Sequence, residues 1–367
     1  MTSPTQPSAI VVGGSLAGLV TALSLSRIGM RVTVLERSGS IRSRGVGLLV
    51  EDRLVESVTG WGSAVPASLP GGFQSWTAIY SALRAAAEAD PGVAVVHDAR
   101  ITGVSQDDAG AVAVTGDGRA FRADLLVGAD GYRSTVRAAV APDHAVADFA
   151  GYVVWLASID ERDLPAALVG DRRFDSGVFL SGDALLAAGP FPGPDGSLQR
   201  GHRTIGWAMY DNAHNDFLRA NGNVRDGAVH HTVTADEIPE TLTRQLARFI
   251  EARWPSPWSD AMLASLRAGL VVGTPIAEYV PSTLVRGRIA LVGDAAHVSS
   301  PMTGRGFTEG LEDAQALAEM LGAEVATGLV GGAVEHALRR YEKKRLRRAR
   351  GTVESGQRFS RRFGRAA

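Results

Sequence analysis

The stretch AIVVGGSLAGLV, residues 9–20, constrains the fold more than any other. A short β-branched run stops at Gly13-Gly14. A helical apolar pattern then resumes and ends at Gly29. Buried parallel strands read as near-continuous apolar runs, and a glycine just past the last periodic residue stops a helix. MRVTVLER, residues 30–37, supplies the next strand, so strand, helix and strand make a βαβ unit.

The glycine turn has a chemical reading and a packing reading. Gly13, Gly14 and Gly18 let the backbone come close to a pyrophosphate, with Leu16 and Ala17 offering N–H groups at the helix start. Ser15 stands where the dinucleotide fingerprint has its second glycine; it is small and brings a hydroxyl donor, so anion binding survives. Glu36 closes the second strand, near the spacing at which an acid takes ribose hydroxyls, and Arg37 follows it. The Glu36 charge repels a ribose 2′-phosphate, so FAD or NAD suits this site and NADP does not. The packing reading is a turn kept tight for the fold alone. GGSLA is one residue from the G-x-S-x-G nucleophile elbow, but Ala17 replaces the last glycine and the position is too early in the chain. Residues 8–26 carry no charge, yet their glycines and hydroxyls make them too polar for a membrane span.

At 367 residues the chain is long for one core. A formal net charge of −1 creates no global field for nucleic acid or an anionic membrane. With no cysteine, thiolate chemistry and disulfides are excluded and a cytoplasmic location is expected. None of the eight histidines shows metal-ligand spacing. The basic run LRRYEKKRLRRARG reads as the solvated face of a helix with an apolar stripe.

TAIYSALRAAAEA reads as a helix, and residues 93–106 and 111–130 as a meander of strands. Residues 149–267 show apolar runs separated by turn residues, which is mostly antiparallel β structure with one amphipathic helix, IPETLTRQLARFIEARW. GRIALVGDAAH returns to the buried parallel-strand type, and helix follows from about Gly306. The fold expected is α/β, two-lobed: a Rossmann-like nucleotide domain with an inserted β-sheet module and C-terminal helices. The domain is discontinuous, over 1–50, 77–148 and 268–367, and the module takes 51–76 and 149–267.

Two further turns carry chemistry. In DLLVGADGYRSTVR, residues 124–137, a strand stops at Gly128, and Asp130-Gly131 open a turn that Ser134 or Thr135 closes as a helix cap. In GRIALVGDAAHVSSPMTGRGFTEGLEDA, residues 287–314, a strand ends at Gly293-Asp294, where a carboxylate meets a sugar or polyol hydroxyl. A loop with Pro301, Gly304 and Gly306 then leads to a helix N-terminus, which offers free N–H groups.

In this order, with Glu36 and a late YEKKR, the motifs resemble the single-component flavin-dependent aromatic hydroxylases of the p-hydroxybenzoate hydroxylase fold. The Gly-Gly-Ser variant is similar to a branch holding 2,6-dihydroxypyridine hydroxylase and urate hydroxylase. The resemblance implies FAD at the opening turn, with Gly13, Ser15 and Gly18 at the pyrophosphate and Glu36 at the adenosine ribose. Asp294 would bind the ribose or ribityl chain; Asp130 and Gly131 belong to a motif tied to both FAD and nicotinamide. Gly304, Arg305 and Gly306 would bring N–H groups to the isoalloxazine edge, with Phe307 next to them and Pro301 shaping the wall; Arg44 and Gly45 would line the cofactor path.

It also implies NADH or NADPH as a transient co-substrate, O2, a flavin C4a-hydroperoxide and a small aromatic substrate, with a homodimer as an expected assembly. His202, Tyr210 and His214 are the candidate bases for activating a phenol. His297 is read as loop structure, and His230-His231 as an exposed pair. This chain departs from the family in having Trp76 and Thr77 where an arginine is common, a short 50–76 segment, and Thr308 in place of asparagine. The other functions open are a natural-product tailoring flavoenzyme and a non-catalytic flavin- or nucleotide-binding protein.

Overall fold

The computed structural model describes residues 6–39, 47–49, 54–60, 73–171, 173–181, 184–329 and 332–363. β1 (Ser8–Val12), α1 (Leu16–Arg27) and β2 (Arg31–Leu35) form the βαβ unit, with β1 and β2 parallel. α1 is buried along almost its whole length, from Gly18 to Leu25, because a late helix, α8 (Gly306–Ala326), covers the side turned away from the sheet. A short antiparallel pair, β3 (Gly47–Leu49) and β4 (Phe73–Ser75), follows, with α2 (Leu54–Thr59) between the two strands.

α3 (Trp76–Ala89) then leads to β5 (Val93–Val96), which pairs parallel to β2. Ser75 caps α3 by accepting the Ala78 N–H at 3.3 Å. β6 (Ile101–Asp107), β7 (Gly110–Thr115) and β8 (Ala120–Ala123) make an antiparallel meander of their own. β9 (Leu125–Gly128) returns beside β1 with all four residues buried. The single meander expected from the sequence is therefore split. β9 lies inside the parallel sheet and must be apolar on both faces, whereas β6 leaves residues exposed.

After the short α4 (Val136–Val140), the chain enters the inserted module. Its sheet contains β10 (Asp148–Asp160), β11 (Gly177–Ser181), β12 (Ala184–Phe191) and β13 (Thr204–Asp211). α5 (Asn215–Ala220), β14 (Val224–Arg225), β15 (Ala228–Val229), α6 (Glu240–Arg253) and α7 (Trp258–Arg267) follow. β16 (Val272–Glu278) closes the sheet by pairing with β10. It lies beyond the boundary at residue 267 drawn from the sequence, where Pro275 disguises it as a break. The sheet order is β11-β12-β13-β10, with β16 on the far side of β10.

Strand periodicity then sorts the side chains. Val153, Trp155, Ala157 and Ile159 of β10 join Trp207 and Met209 of β13 against Leu242, Leu246 and Ile250 of α6. Tyr152 and Val154 of β10 and Tyr210 of β13 face the other way, toward Met302, Phe359 and Phe363.

β17 (Val285–Arg286) and β18 (Ile289–Leu291) complete the first sheet, ordered β17-β18-β9-β1-β2-β5. α8 (Gly306–Ala326) and α9 (Ala333–Phe363) end the chain's described part. The buried residues of α9 include Leu338, Tyr341, Arg345, Ala349 and Val353, one face at three- and four-residue spacing, while its basic residues other than Arg345 point outward. Among the described residues no helix is long and apolar enough to cross a membrane; residues 8–26 are β1 and most of α1.

Leu246 sits 1% exposed under the two tryptophans. Leu246→Ala is expected to lower stability by about 2–5 kcal/mol, the usual cost of a core leucine truncation, read from urea denaturation.

Candidate active site

Three turns meet at the N-terminus of α1. Gly13 takes φ +106°, and a Cβ there would stand 2.4 Å from the Ala129 carbonyl oxygen. A Cβ on Gly18 would stand 1.8 Å from the Gly13 oxygen. The first turn is therefore pressed against the end of β9. A Cβ on Gly293 would lie 2.7 Å from the Ala17 methyl, and one on Gly310 would lie 3.4 Å from it. So the Gly293-Asp294 turn and the first turns of α8 abut the same helix end. The packing reading of the glycines is real, and the packing is what gathers the motifs.

The carboxylate of Glu36 is oriented before any ligand arrives. Oε2 accepts the Gly14 N–H at 2.8 Å and Oε1 accepts the Ser38 N–H at 2.9 Å. A carboxylate has lone pairs left after two such bonds, enough for vicinal hydroxyls. Ser15 occupies the N-cap of α1 with an exposed side chain that makes no capping bond. The first-turn N–H groups have no helical acceptor of their own. Free N–H groups, a spare hydroxyl and a preset acid fit the adenosine diphosphate half of FAD. Leu16 contributes through its backbone alone, since its side chain is buried with Leu19 and Phe307. Arg37 is exposed, and Arg44 and Gly45 lie outside the described residues.

Asp130 is spent locally. Oδ1 accepts the Ser134 hydroxyl at 2.5 Å, and Oδ2 accepts the Thr135 and Val136 N–H groups at 2.7 and 3.3 Å. Asp130 thus shares the capping of α4 with Ser134, the cap expected from the sequence, whose hydroxyl accepts the Arg137 N–H at 2.9 Å. Gly131 supplies a φ of +81° for the turn. Sequence reasoning passed over Arg137, the last letter of that motif. Fully buried, it donates to the carbonyls of Ala295 at 2.8 Å, Asp294 at 2.7 Å and Tyr132 at 2.9 Å. Its guanidinium lies 4.1 Å from the Tyr279 ring centre. Arg137 thus stitches the second motif to the third. Asp294 itself is exposed at the recess. Desolvation by the surrounding protein raises its carboxyl pKa, against the charges of His297 and Arg137.

The loop from Gly293 to Arg305 rests on a buried charge cluster. Asp313 Oδ2 accepts the Gly293 N–H at 2.9 Å and contacts His297 Nε2 at 2.6 Å; Oδ1 accepts Arg345 Nε at 2.7 Å. Arg345 also reaches Glu309 and Glu312, each at 2.6 Å. Arg345 is the arginine of YEKKR, and Asp313 belongs to the third motif. Burial alone pulls the His297 pKa down, but the Asp313 carboxylate more than offsets it and the net shift is upward. Burial pushes Asp313 up, and His297 and Arg345 hold it below its ordinary value.

The N–H donors at the next turn differ from those expected. The Gly304 N–H is used by the Pro301 oxygen at 3.0 Å, and the Arg305 N–H by the Thr303 hydroxyl at 3.2 Å. The Arg305 side chain turns to Glu309, and the Phe307 ring packs inward. The donors left are the N–H groups of Gly306, Phe307 and Thr308, which open α8.

A cavity of about 360 Å3 lies between the inserted sheet and α3, lined in part by Thr77, Ala78, Ser158, Phe191 and Thr204. Its sheet wall is the face that also carries Leu156, Ala187 and Ala208. Pro301 is exposed at a turn held by Ser300, whose hydroxyl is 2.7 Å from the Tyr152 hydroxyl.

The three candidate bases are not gathered here. Tyr210 is packed among Tyr152, Phe359 and Phe363, and burial pushes its pKa up, the wrong direction for a base. His214 pairs with Asp211 at 2.5 Å, and Asp211 also accepts Trp155 Nε1 at 2.7 Å on the helix-covered side of the sheet. His202 is exposed in the β12–β13 loop, 3.9 Å from Asp195. Among the described residues no group of three or more His, Asp or Glu side chains could hold a metal.

A family model described as FAD binding domain matches residues 75–190 and 200–355, and one described as pyridine nucleotide-disulphide oxidoreductase matches residues 8–62. Aurachin C monooxygenase/isomerase of Stigmatella aurantiaca is 25% identical, over 95% of this chain and 88% of that protein. 2,6-Dihydroxypyridine 3-monooxygenase of Paenarthrobacter nicotinovorans is 28% identical, over 87% of this chain and 83% of that protein. The solved 2,6-dihydroxypyridine-3-hydroxylase from Arthrobacter nicotinovorans has the same fold, with a TM-score of 0.79, 22% identity and coverage of 99% of this chain and 94% of that one.

The charge cluster sets a pH dependence. His297 has a raised folded pKa, so its contribution is full below the unfolded value of about 6.5 and is lost as pH rises through the folded value. Asp313 has a lowered folded pKa, so its contribution holds above the unfolded value of about 3.9 and is lost as pH falls through the folded value. His297→Gln is expected to remove the alkaline loss from a denaturation series run across pH. Asp313→Asn removes the carboxylate that His297 and Arg345 share, leaves Arg345 with Glu309 and Glu312 alone, and is expected to destabilise the fold by less than the about 3–5 kcal/mol of a fully unpaired buried charge.

Proposed function

The chain belongs to the FAD binding domain family, and from that premise we propose an FAD-dependent monooxygenase that uses NADH or NADPH and O2 to hydroxylate an aromatic or heteroaromatic small molecule. The observation that carries this reading is the meeting of three turns at the α1 N-terminus, in a chain whose inserted sheet also walls a cavity against α3. The relative named 2,6-dihydroxypyridine 3-monooxygenase supports it. Residues 149–267, together with β16, are the substrate module of this reading, and the parallel sheet with its helices is the FAD domain.

Bound FAD would supply the electron-transfer and oxygen chemistry. The protein's share is binding and orientation. The turn from Gly13 to Gly18 holds the pyrophosphate, Glu36 the adenosine ribose, and Asp294 the polyol at the end of β18. The N–H groups opening α8 meet the electron-rich edge of the ring system. Leu156, Ala187 and Ala208 give the substrate ring a floor without a titratable group, so the substrate brings its own hydroxyl or amino group to activate the ring. The lack of cysteine supports a cytoplasmic location, and a homodimer is the assembly we propose to test by light scattering.

The second reading, a tailoring enzyme that epoxidises or rearranges a larger natural product, is favoured by the exposed Pro301 and by the relative named as monooxygenase/isomerase. Product mass and the position of the new oxygen separate the two. A non-catalytic flavin binder would keep its FAD oxidised under every nicotinamide and ligand offered.

Purified protein is expected to show an oxidised-flavin visible spectrum that bleaches under anaerobic NADH or NADPH, faster when a phenol is present. A colourless protein that takes up no added FAD overturns the proposal. Glu36→Ala is expected to weaken FAD binding roughly tenfold, as loss of a charge-assisted hydrogen-bond acceptor does, measured by flavin fluorescence on release.

A further inference from the structure

Strand register arranges the sheet face toward Pro301 in rows. One row runs Val178, Ala187, Ala208, Leu156 across β11, β12, β13 and β10. The row beside it runs Leu180, Leu185, Tyr210, Val154. The inner part of the second row is covered, with Leu185, Tyr210 and Val154 buried under Met302, Phe359 and Phe363. The outer ends of both rows are bare. Val178 is 52% exposed and Leu180 75%.

β11 is the edge of its sheet, where charged side chains commonly discourage pairing. Here the two outward residues are aliphatic, and neither row contains a charge. At roughly 4.8 Å per strand, the first row is an apolar strip about 14 Å long, running from Leu156, on the same sheet face as the cavity's Ser158, Phe191 and Thr204, to the edge of the sheet. Its middle is paved with alanines, which leaves depth for a flat ring; its outer end is aliphatic and open to water.

Resting on the monooxygenase reading, we propose that the strip seats an apolar substituent. The substrate class is an uncharged ring carrying a hydroxyl or amino group and an alkyl chain, the ring over Ala187 and Ala208 and the chain running outward over Val178 and Leu180. A charged group over Ala187 and Ala208 would meet no partner on either row. Val178 and Leu180 are thus specificity-determining residues that never touch the reacting carbon.

The test uses FAD-loaded enzyme titrated with 4-alkylphenols, from 4-ethylphenol to 4-heptylphenol, read by perturbation of the flavin spectrum. The dissociation constant is expected to fall about two- to fourfold per added methylene. The double variant Val178→Thr, Leu180→Thr places β-branched residues, which suit strands, on an exposed edge and so keeps the fold. It is expected to bind 4-ethylphenol as the parent does and 4-heptylphenol about tenfold more weakly. Affinity independent of chain length, or the same slope in parent and variant, overturns the inference. So does a slope unchanged in the variant while light scattering shows a dimer broken into monomers, because the strip is then a contact between copies. If no phenol perturbs the flavin or stimulates NAD(P)H oxidation in the parent, the monooxygenase reading has failed and the inference falls with it.

Discussion

A single buried carboxylate organises the site. Asp313 holds the Gly293 N–H, His297 and Arg345 at once, and these come from the strand-end turn, the loop after it and α9. Each partner satisfies a need the others create. A lone buried carboxylate would take up a proton, and a lone buried guanidinium would be costly; together they stay charged. The recess around Asp294 therefore has its shape set from behind, by residues that a bound dinucleotide never meets.

Arg137 performs the matching task from the other side. It ties four carbonyls with one rigid fork, two of them in the turn that Asp313 also grips. The Gly293-Asp294 turn is thus held between a cation bonding to its carbonyls and an anion bonding to its N–H. Helix α1 is then pressed onto this assembly through Ala17, where only glycine at 293 leaves room. Positioning comes before chemistry here, and most of it is electrostatic.

Much of this was legible in the sequence because it is local. Glycines at 13, 14 and 18, an acid at 36 and apolar strands ending at Gly128 and Gly293 follow from backbone rules that act over a few residues. What was hidden is long-range pairing. Nothing near Asp313 announces Arg345, although both stand in quoted motifs. Asp130 looked available to a ligand because its cap bonds form only once α4 folds back. Gly304 and Arg305 looked like donors because the turn that consumes their N–H groups is invisible without coordinates. The strip from Leu156 to Val178 depends on register across four strands, which no single stretch of sequence encodes.

The aromatic pair at the far end of α9 has a consequence for synthesis. Phe359 and Phe363 cover Tyr152 and Tyr210, which belong to strands made much earlier. As the chain leaves the ribosome, the inserted sheet can form with its helix-covered side complete. Its opposite side keeps an uncovered aromatic patch until α9 emerges. During that interval the nascent chain shows the kind of apolar surface that chaperones recognise and that drives misassembly.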